Sequence, residues 1–411
     1  MTHKAIDSRE AVLGLTYLSI FLAPLNGFIF YVPLIPAVIL SCWRRWGRGI
    51  REWRAGPLAK AGAGFLACSL ASSCFSIDRA FSLFNWIFLP LSYSALYVLV
   101  LSYVRTREER RRLFRVFLTA AACTALYGIF QFMNIQNMAG EIAAQDWVDP
   151  ERFPLLYRRM YSTLENPNLF AGYLLMMLGL FGASALVKEK GRGKWELLAF
   201  CAVLAVCLLL TYSRGAWLSL AAMAAVLAIL YDRRIWLAFL LVPVVLLAYH
   251  GQITERFLSL FSGEDTSTLL RFALWESTIA MIEDHPLLGV GWGAYFLAYP
   301  DYNFFVGDRT VIIYHAHNMY LSLLAETGIL GGLFYFLTFF CHGALAVRLY
   351  RKGRSSGEKA AGLALSLIIT GMAVYGMGDY VLFSRAVSVT FWSLCAYAMC
   401  FAAEDRGGAE A

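Results

Sequence analysis

Long apolar runs recur along nearly the whole of this 411-residue chain, from Val12 to Phe401. Each comes close to the roughly 20 residues that an α-helix needs to cross the hydrocarbon core of a bilayer. Only 15% of the residues are charged, well below the roughly 25% of an average soluble domain. The pattern predicts an all-α polytopic membrane protein, with residues 1–411 forming a single integral membrane domain.

The apolar pattern predicts about twelve transmembrane helices. The first two are short, and Pro24, Asn26 and Gly27 must form a tight turn between them. The predicted spans are 11–25, 27–42, 57–75, 81–103, 113–134, 167–187, 195–212, 215–231, 235–250, 317–346, 360–378 and 386–403.

Basic residues set the expected orientation, because Lys and Arg collect on the cytoplasmic side of membrane proteins. Segments rich in them, such as WRRWGRGIREWR and RTREERRRLFR, follow every second predicted span. Both termini are therefore expected in the cytoplasm. The net charge of +7 follows from this topology, so we expect no nucleic-acid partner.

Two outer connections are long enough to carry structure of their own. Residues 135–165 form the smaller predicted extracytoplasmic loop, and residues 251–316 form a large one before the tenth span. In the large loop, STLLRFALWESTIAMIED has an apolar stripe at helical spacing beside Arg271. It predicts an amphipathic helix on the membrane surface. HPLLGVGWGAY, which contains Pro286 and three glycines, predicts a turn leading towards His317.

Three chemically active side chains are expected to meet at the outer face. Arg214 lies in the short link between the seventh and eighth spans, Arg271 lies on the surface helix, and His317 opens the tenth span. Each also has a structural interpretation: Arg214 as an anchor of its helix end at the interface, Arg271 as part of a solvated helix face, and His317 as a satisfied core histidine. The functional reading makes His317 a base, since histidine is easily poised near neutral pH. A guanidinium group forms two parallel hydrogen bonds to diphosphate oxygens, so Arg214 and Arg271 are suited to bind a diphosphate.

Other polar residues near the same face leave alternatives open. Asn166 before Pro167 has the form of a helix N-cap with proline at the first helical position, or it contacts substrate. Arg385 and Asp379 bracket the last outer turn, where a mutual ion pair and a ligand role are both possible. The further possible cavity-lining residues are Tyr314, His315, Asn318, Glu326 and Arg385.

We expect no metal site in this chain. Two histidines at positions 315 and 317 point in directions about 200° apart on a helix, so they do not easily share one ion. The nine cysteines include no CxxC pair, which disfavours a zinc site and a disulfide framework.

Four segments of the chain resemble the O-antigen ligase superfamily, which also contains Wzy-type polysaccharide polymerases and bacterial O-linked oligosaccharyltransferases. They are ENPNLFAGYLL, SRGAWLSL, the arginine and tryptophan of RFALW followed by HPLLGVGWGAY, and HNMYLSLLAETGILGG. Together they span roughly 165–332, and the expected helix pattern extends the likeness over the whole chain. Each motif is weak alone, and their order and spacing carry the resemblance.

The resemblance implies an inverting, metal-independent glycosyltransferase without a cofactor. Its donor would be a glycan on polyprenyl (undecaprenyl) diphosphate, and its acceptor a lipid A core or a growing glycan. The active site would face the periplasm from the bacterial cytoplasmic (inner) membrane, with membrane lipids around it. His317 matches the histidine proposed to activate the acceptor hydroxyl, and Arg214 and Arg271 match the arginines thought to hold the diphosphate.

The motifs do not separate the activities within the superfamily. We expect an O-antigen ligase, with a Wzy-type polysaccharide polymerase as the alternative and an O-linked protein oligosaccharyltransferase as a further one. A different class is a transporter, for example a flippase for lipid-linked oligosaccharides. A transporter should place ionisable residues near the midplane of the bilayer. Among the predicted spans only Glu326 lies away from a span end, which favours the enzyme.

Overall fold

The computed structural model describes residues 2–46, 56–134, 159–188, 191–237, 266–304 and 312–402. Every regular element within these ranges is helical, which confirms the all-α class. The main helices are α1 (Thr2–Leu22), α2 (Tyr31–Arg45), α3 (Ala59–Cys74), α4 (Arg79–Tyr103), α5 (Arg107–Asn134), α6 (Pro167–Val187), α7 (Arg192–Leu210), α8 (Arg214–Leu230), α9 (Thr266–Asp284), α10 (Tyr295–Ala298), α11 (Met319–Lys352), α12 (Ser356–Tyr375) and α13 (Arg385–Ala402).

In the part of the chain that the structure describes, seven helices are long and apolar enough to cross a membrane. They are α4, α5, α6, α7, α11, α12 and α13. α8 is also apolar but has only 17 residues. The first three predicted spans correspond to α1, α2 and α3, which do not meet the same criterion. The ninth predicted span, 235–250, lies mostly outside the described residues. A membrane protein is thus supported, and the count of about twelve spans stays a prediction.

The two predicted outer loops are described only in part. Residues 135–158, 251–265 and 305–311 lie outside the described residues. A helix, α9, is present where the amphipathic surface helix was predicted, and a short helix, α10, follows the glycine-rich turn. The placement of these elements outside the membrane stays a prediction.

Three helices form the centre of the bundle. Within the apolar 18-residue stretch of each helix, 89% of the residues are buried in α13, 72% in α6, 61% in α12 and only 22% in α7. α12 packs against α6, α8 and α11, while α7 lies against α6 at the periphery. The ends of α6 and α12 are therefore fixed by the most enclosed part of the protein.

α11 is not one continuous helix, because it is broken at Gly328. This residue has φ 65° and ψ −176°, which is outside the helical region and suits glycine. A Cβ atom there would overlap the backbone carbonyl of Leu287, in the glycine-rich turn after α9. The turn therefore occupies the break itself.

Backbone hydrogen bonds attach the turn to both sides of the break. Ile329 N–H donates to the carbonyl of Pro286 at 2.8 Å, and Val290 N–H donates to the carbonyl of Ala325 at 2.9 Å. Gly289 has φ 69°, and a Cβ there would lie 2.5 Å from the Ala325 carbonyl oxygen. Backbone groups freed by the break are thus satisfied inside the protein, as an apolar surrounding requires.

Glu326, just before the break, is part of this attachment. Its carbonyl accepts hydrogen bonds from the Ser72 hydroxyl at 2.6 Å and from Gly291 N–H at 3.1 Å. Its buried carboxyl group accepts backbone hydrogen bonds from Gly293 and Tyr295 at the start of α10. These contacts give Glu326 a structural role, and a part in lining the cavity stays a prediction.

Replacement of Gly328 by alanine should lower the apparent melting temperature of the detergent-purified protein by several degrees. The added Cβ would overlap the backbone of Leu287, and the left-handed φ costs a non-glycine residue about 1–2 kcal/mol. Gly182→Ala in α6 is the matched control, because its Cβ would meet nothing within 4 Å. Equal melting temperatures for the two variants would contradict this account of the break.

Candidate active site

The start of α11 is fastened to the end of α12. Asn318 is the N-cap of α11, and its side-chain oxygen accepts hydrogen bonds from the first helical turn. Its amide donates to the carbonyl of Met377 at 3.2 Å, and Met319 N–H donates to the carbonyl of Gly376 at 2.7 Å. These contacts bring His317 to the turn that follows α12.

His317 is paired there with Asp379. Nδ1 of His317 lies 3.2 Å from Oδ1 of Asp379, with the histidine side chain 38% exposed and the aspartate 7% exposed. The carboxylate requires a donor, so the proton belongs on Nδ1 and Nε2 is left as an acceptor. Among the described residues Nε2 has no hydrogen-bond partner, so His317 is able to accept a proton from a substrate.

Burial alone would raise the pKa of Asp379. The hydrogen bond from His317, together with the nearby charge of Arg271, instead holds the pKa of Asp379 below its usual range. The carboxyl group therefore stays ionised and stabilises positive charge on His317.

Behind this pair, both oxygens of Asp379 are held by a chain of hydrogen bonds that we call the Asp379 network. Nδ2 of Asn168 donates to Oδ2 of Asp379 at 2.8 Å. Nη2 of Arg159 donates to Oδ1 of Asn168 at 2.8 Å, and its Nε donates to the carbonyl of Thr211 at 2.7 Å. The Asp379 network, from His317 through Asp379 and Asn168 to Arg159, fixes the direction of the carboxylate.

The local start of α6 explains the position of Asn168. Asn166 is the N-cap of α6, and its side-chain oxygen accepts a hydrogen bond from Asn168 N–H at 2.8 Å. Pro167 occupies the first turn. The N-cap reading of Asn166 is therefore confirmed, and the network residue is its neighbour Asn168.

The start of α8 reaches the same end of the bundle. The hydroxyl of Ser213 lies 2.8 Å from the hydroxyl of Tyr375, which donates to the carbonyl of Asn168 at 3.0 Å. A Cβ at Gly215 would lie 2.9 Å from the ring of Tyr375. Arg214, between these two residues, is buried in the first turn of α8.

α9 brings Arg271 to the site. Nε1 of Trp275, one turn after Arg271, donates to the carbonyl of Ala316 at 3.0 Å, directly before His317. Arg271 is half-buried, and its charge acts on both His315 and Asp379. The structure thus brings Arg271, His317 and the start of α8 to one end of the bundle.

His315 supports the backbone of His317. His317 has φ 48°, and its N–H donates to Nδ1 of His315 at 3.1 Å. The buried ring of His315 lies 4.5 Å from the ring of His317 and 4.6 Å from that of Phe383. Burial lowers the pKa of His315 to about 3, and the charge of His317 acts in the same direction. His315 is therefore neutral near pH 7 and accepts this hydrogen bond.

His315, His317 and Asp379 also form a set that is able to hold a metal ion. One ligand atom of each lies within 4.8 Å of the others. Both Nδ1 atoms already take part in hydrogen bonds, so an ion would have to bind through Nε2 or displace those bonds. The expected absence of a metal stays a prediction.

Two further residues named from the sequence make contacts elsewhere, and their part in lining a cavity stays a prediction. Tyr314 is 61% exposed, and its ring lies 5.6 Å from that of Phe296. Arg385 lies over the ring of Phe28 at 4.6 Å, with Nη2 3.4 Å from Oδ1 of Asn85. The possible Asp379–Arg385 ion pair is not formed, and Asp379 is instead bonded to His317, Asn168 and the N–H of Tyr380.

One family model matches part of the chain. Residues 199–336 match the family model described as O-Antigen ligase, a segment that contains Arg214, Arg271 and His317. No curated protein matches the chain. The match supports the resemblance seen in the motifs, and this segment is similar to the O-antigen ligase superfamily.

Proposed function

We propose that the protein is a membrane glycosyltransferase of the O-antigen ligase type. It transfers a glycan from a polyprenyl-diphosphate-linked donor to an acceptor hydroxyl at the outer face of the bacterial cytoplasmic membrane. The observation that carries this proposal is the His317–Asp379 pair, whose Nε2 is left as a proton acceptor near the charge of Arg271. The family match supports a glycan ligase or polymerase in general.

The reaction follows from these groups. Nε2 of His317 takes the proton of the acceptor hydroxyl while its oxygen attacks the anomeric carbon. The bond from that carbon to the diphosphate breaks, the diphosphate leaves with the electron pair, and the anomeric configuration inverts. Arg214 and Arg271 stabilise the charge that grows on the leaving diphosphate. Asp379 stabilises the imidazolium that forms on His317.

The proposed orientation places His317 on the periplasmic side and both termini in the cytoplasm. It is supported by the arrangement of basic residues along the bundle. α5 begins with Arg107 and α6 is followed by Lys188, whereas Asn168 lies at the other end of α6. Basic segments therefore lie at the end away from His317, in agreement with the cytoplasmic preference of Lys and Arg.

The test uses purified protein in liposomes with an undecaprenyl-diphosphate-linked oligosaccharide and a metal chelator. Lipid A core is added to half of the samples, and products are resolved by gel and mass spectrometry. A single transfer to lipid A core supports the ligase, and a ladder of lengthening lipid-linked chains identifies the polymerase instead. Loss of activity in the chelator that Zn²⁺ restores would contradict the metal-free reaction and point to His315, His317 and Asp379 as ligands.

His317→Ala should lower the transfer rate by a factor of at least about 10², since a positioned general base contributes roughly 10²–10⁴-fold. Donor binding should change little, because the arginines remain. His285→Ala is the matched control, as its side chain is exposed in the turn after α9, and it should retain full activity. Equal rates for the two variants would remove His317 from the mechanism.

Asp379→Asn should lower kcat by a factor of about 10 or more and leave the KM for the donor nearly unchanged. The amide cannot stabilise the imidazolium and no longer requires a proton on Nδ1 of His317. Asp284→Asn removes a carboxylate that accepts a hydrogen bond from the Tyr302 hydroxyl, and it serves as the control. A change in KM alone would show that Asp379 acts in binding and not through His317.

Arg271→Lys should raise the KM for the donor by a factor of about 10, because lysine keeps the charge but loses the paired grip on a diphosphate. Arg79→Lys, at an exposed position at the start of α4, is the control for a general effect of the exchange. An unchanged KM and kcat for Arg271→Lys would show that Arg271 does not bind the diphosphate through paired hydrogen bonds.

A further inference from the structure

A cavity of about 790 Å³ lies at the end of the bundle opposite His317. α6 starts beside the Asp379 network and ends at Val187 in the cavity wall, while α12 starts at the cavity with Ser356 and ends at Tyr375 beside the network. Helices of this length span about 30 Å. The cavity is therefore separate from the candidate active site.

The mouth of the cavity is basic. Two acids, Glu108 and Glu358, lie in the same lining, but each is engaged. Glu108 pairs with Arg115 at 2.9 Å, and Glu358 belongs to the capping box at the start of α12. The basic lining residues come from the first turns of α5 and from the residue after α6: Arg107, Arg110, Arg111, Arg115 and Lys188.

Three of these basic residues are available to a ligand. Arg107, Arg111 and Lys188 are exposed, and within the described ranges none of them forms an ion pair with an acid. Their charges converge on the cavity from two different helices. They offer charge-assisted hydrogen bonds to an anion placed between them.

The floor of the cavity is apolar. Aromatic and aliphatic side chains from α5, α6, α7 and α13 form it, namely Phe114, Leu180, Leu197, Tyr397 and Phe401. A soluble anion would use only the basic mouth and leave this apolar surface in water. A molecule with an anionic head and a hydrocarbon tail would satisfy both parts.

We propose that this cavity binds an anionic phospholipid, with its phosphate group between Arg111 and Lys188 and an acyl chain along the apolar floor. A general excess of Lys and Arg at one membrane face would require neither a concave site nor an apolar floor. The proposal does not depend on the glycosyltransferase reaction, because no residue of the candidate active site lines the cavity.

The test measures lipid retention on the purified full chain by native mass spectrometry. The protein is prepared with phosphatidylcholine and titrated with phosphatidylglycerol. Arg111→Gln combined with Lys188→Gln removes two charges at the mouth. Arg192→Gln combined with Lys194→Gln is the matched control, because it removes two charges from the first turn of α7, outside the cavity lining. A second arm adds excess inorganic phosphate to the wild type with phosphatidylglycerol bound.

We expect the cavity variant to bind phosphatidylglycerol about tenfold more weakly than the wild type. The control variant should bind it nearly as well as the wild type, and inorganic phosphate should not displace the lipid. Equal losses in the two variants would mean a general surface attraction and would overturn the site. Complete displacement by inorganic phosphate would also overturn the proposal, since the ligand would then be a soluble phosphate. Melting temperatures of both variants verify that they are folded.

Discussion

The break in α11 at Gly328 is the constraint on which the end of the bundle that carries His317 depends. A helix broken inside an apolar bundle exposes backbone groups that must find partners, and the turn after α9 supplies them through Pro286 and Val290. Because that turn follows α9 directly, its attachment also fixes the helix that carries Arg271. Trp275 then joins α9 to the segment before His317. The need to satisfy the backbone groups at Gly328 thus also fixes Arg271, a candidate phosphate-binding residue, relative to His317, the candidate base.

The site has a consistent electrostatic design. Asp379 is buried, yet the hydrogen bond from His317 and the nearby charge of Arg271 hold its pKa low. Asn168, itself held by Arg159, donates to one oxygen of the carboxylate, and Tyr380 N–H donates to the oxygen that faces His317, so the carboxylate is fixed in direction. A histidine held in this way needs little rearrangement when it accepts a proton, which is the property that a general base requires.

The sequence predicted the helices well because long apolar runs have few alternatives in a bilayer. It also singled out Arg214, Arg271 and His317 as candidates, since charged side chains at the ends of such runs are conspicuous, and their roles stay predictions. The break at Gly328 was not predicted: TGILGG continues the apolar pattern, and the groups that satisfy the break come from Pro286 and Val290, far away in sequence. The sequence analysis expected Asp379 near the outer face and offered Arg385 as a possible ion-pair partner. Closeness in sequence does not reveal which side chain forms the hydrogen bond to a carboxylate.

Asn168 was overlooked for a related reason. The segment ENPN was interpreted correctly as a helix start, and the second asparagine carried no signal of its own until the structure placed it beside Asp379.

The most direct test of the central claim is an experimental structure of the full chain with polyprenyl diphosphate, the leaving product of the proposed reaction. The account predicts that the diphosphate contacts the guanidinium groups of Arg271 and Arg214 on the exposed side of His317. A diphosphate bound only at the basic cavity beside Arg111 and Lys188, with the His317 end empty, would contradict it.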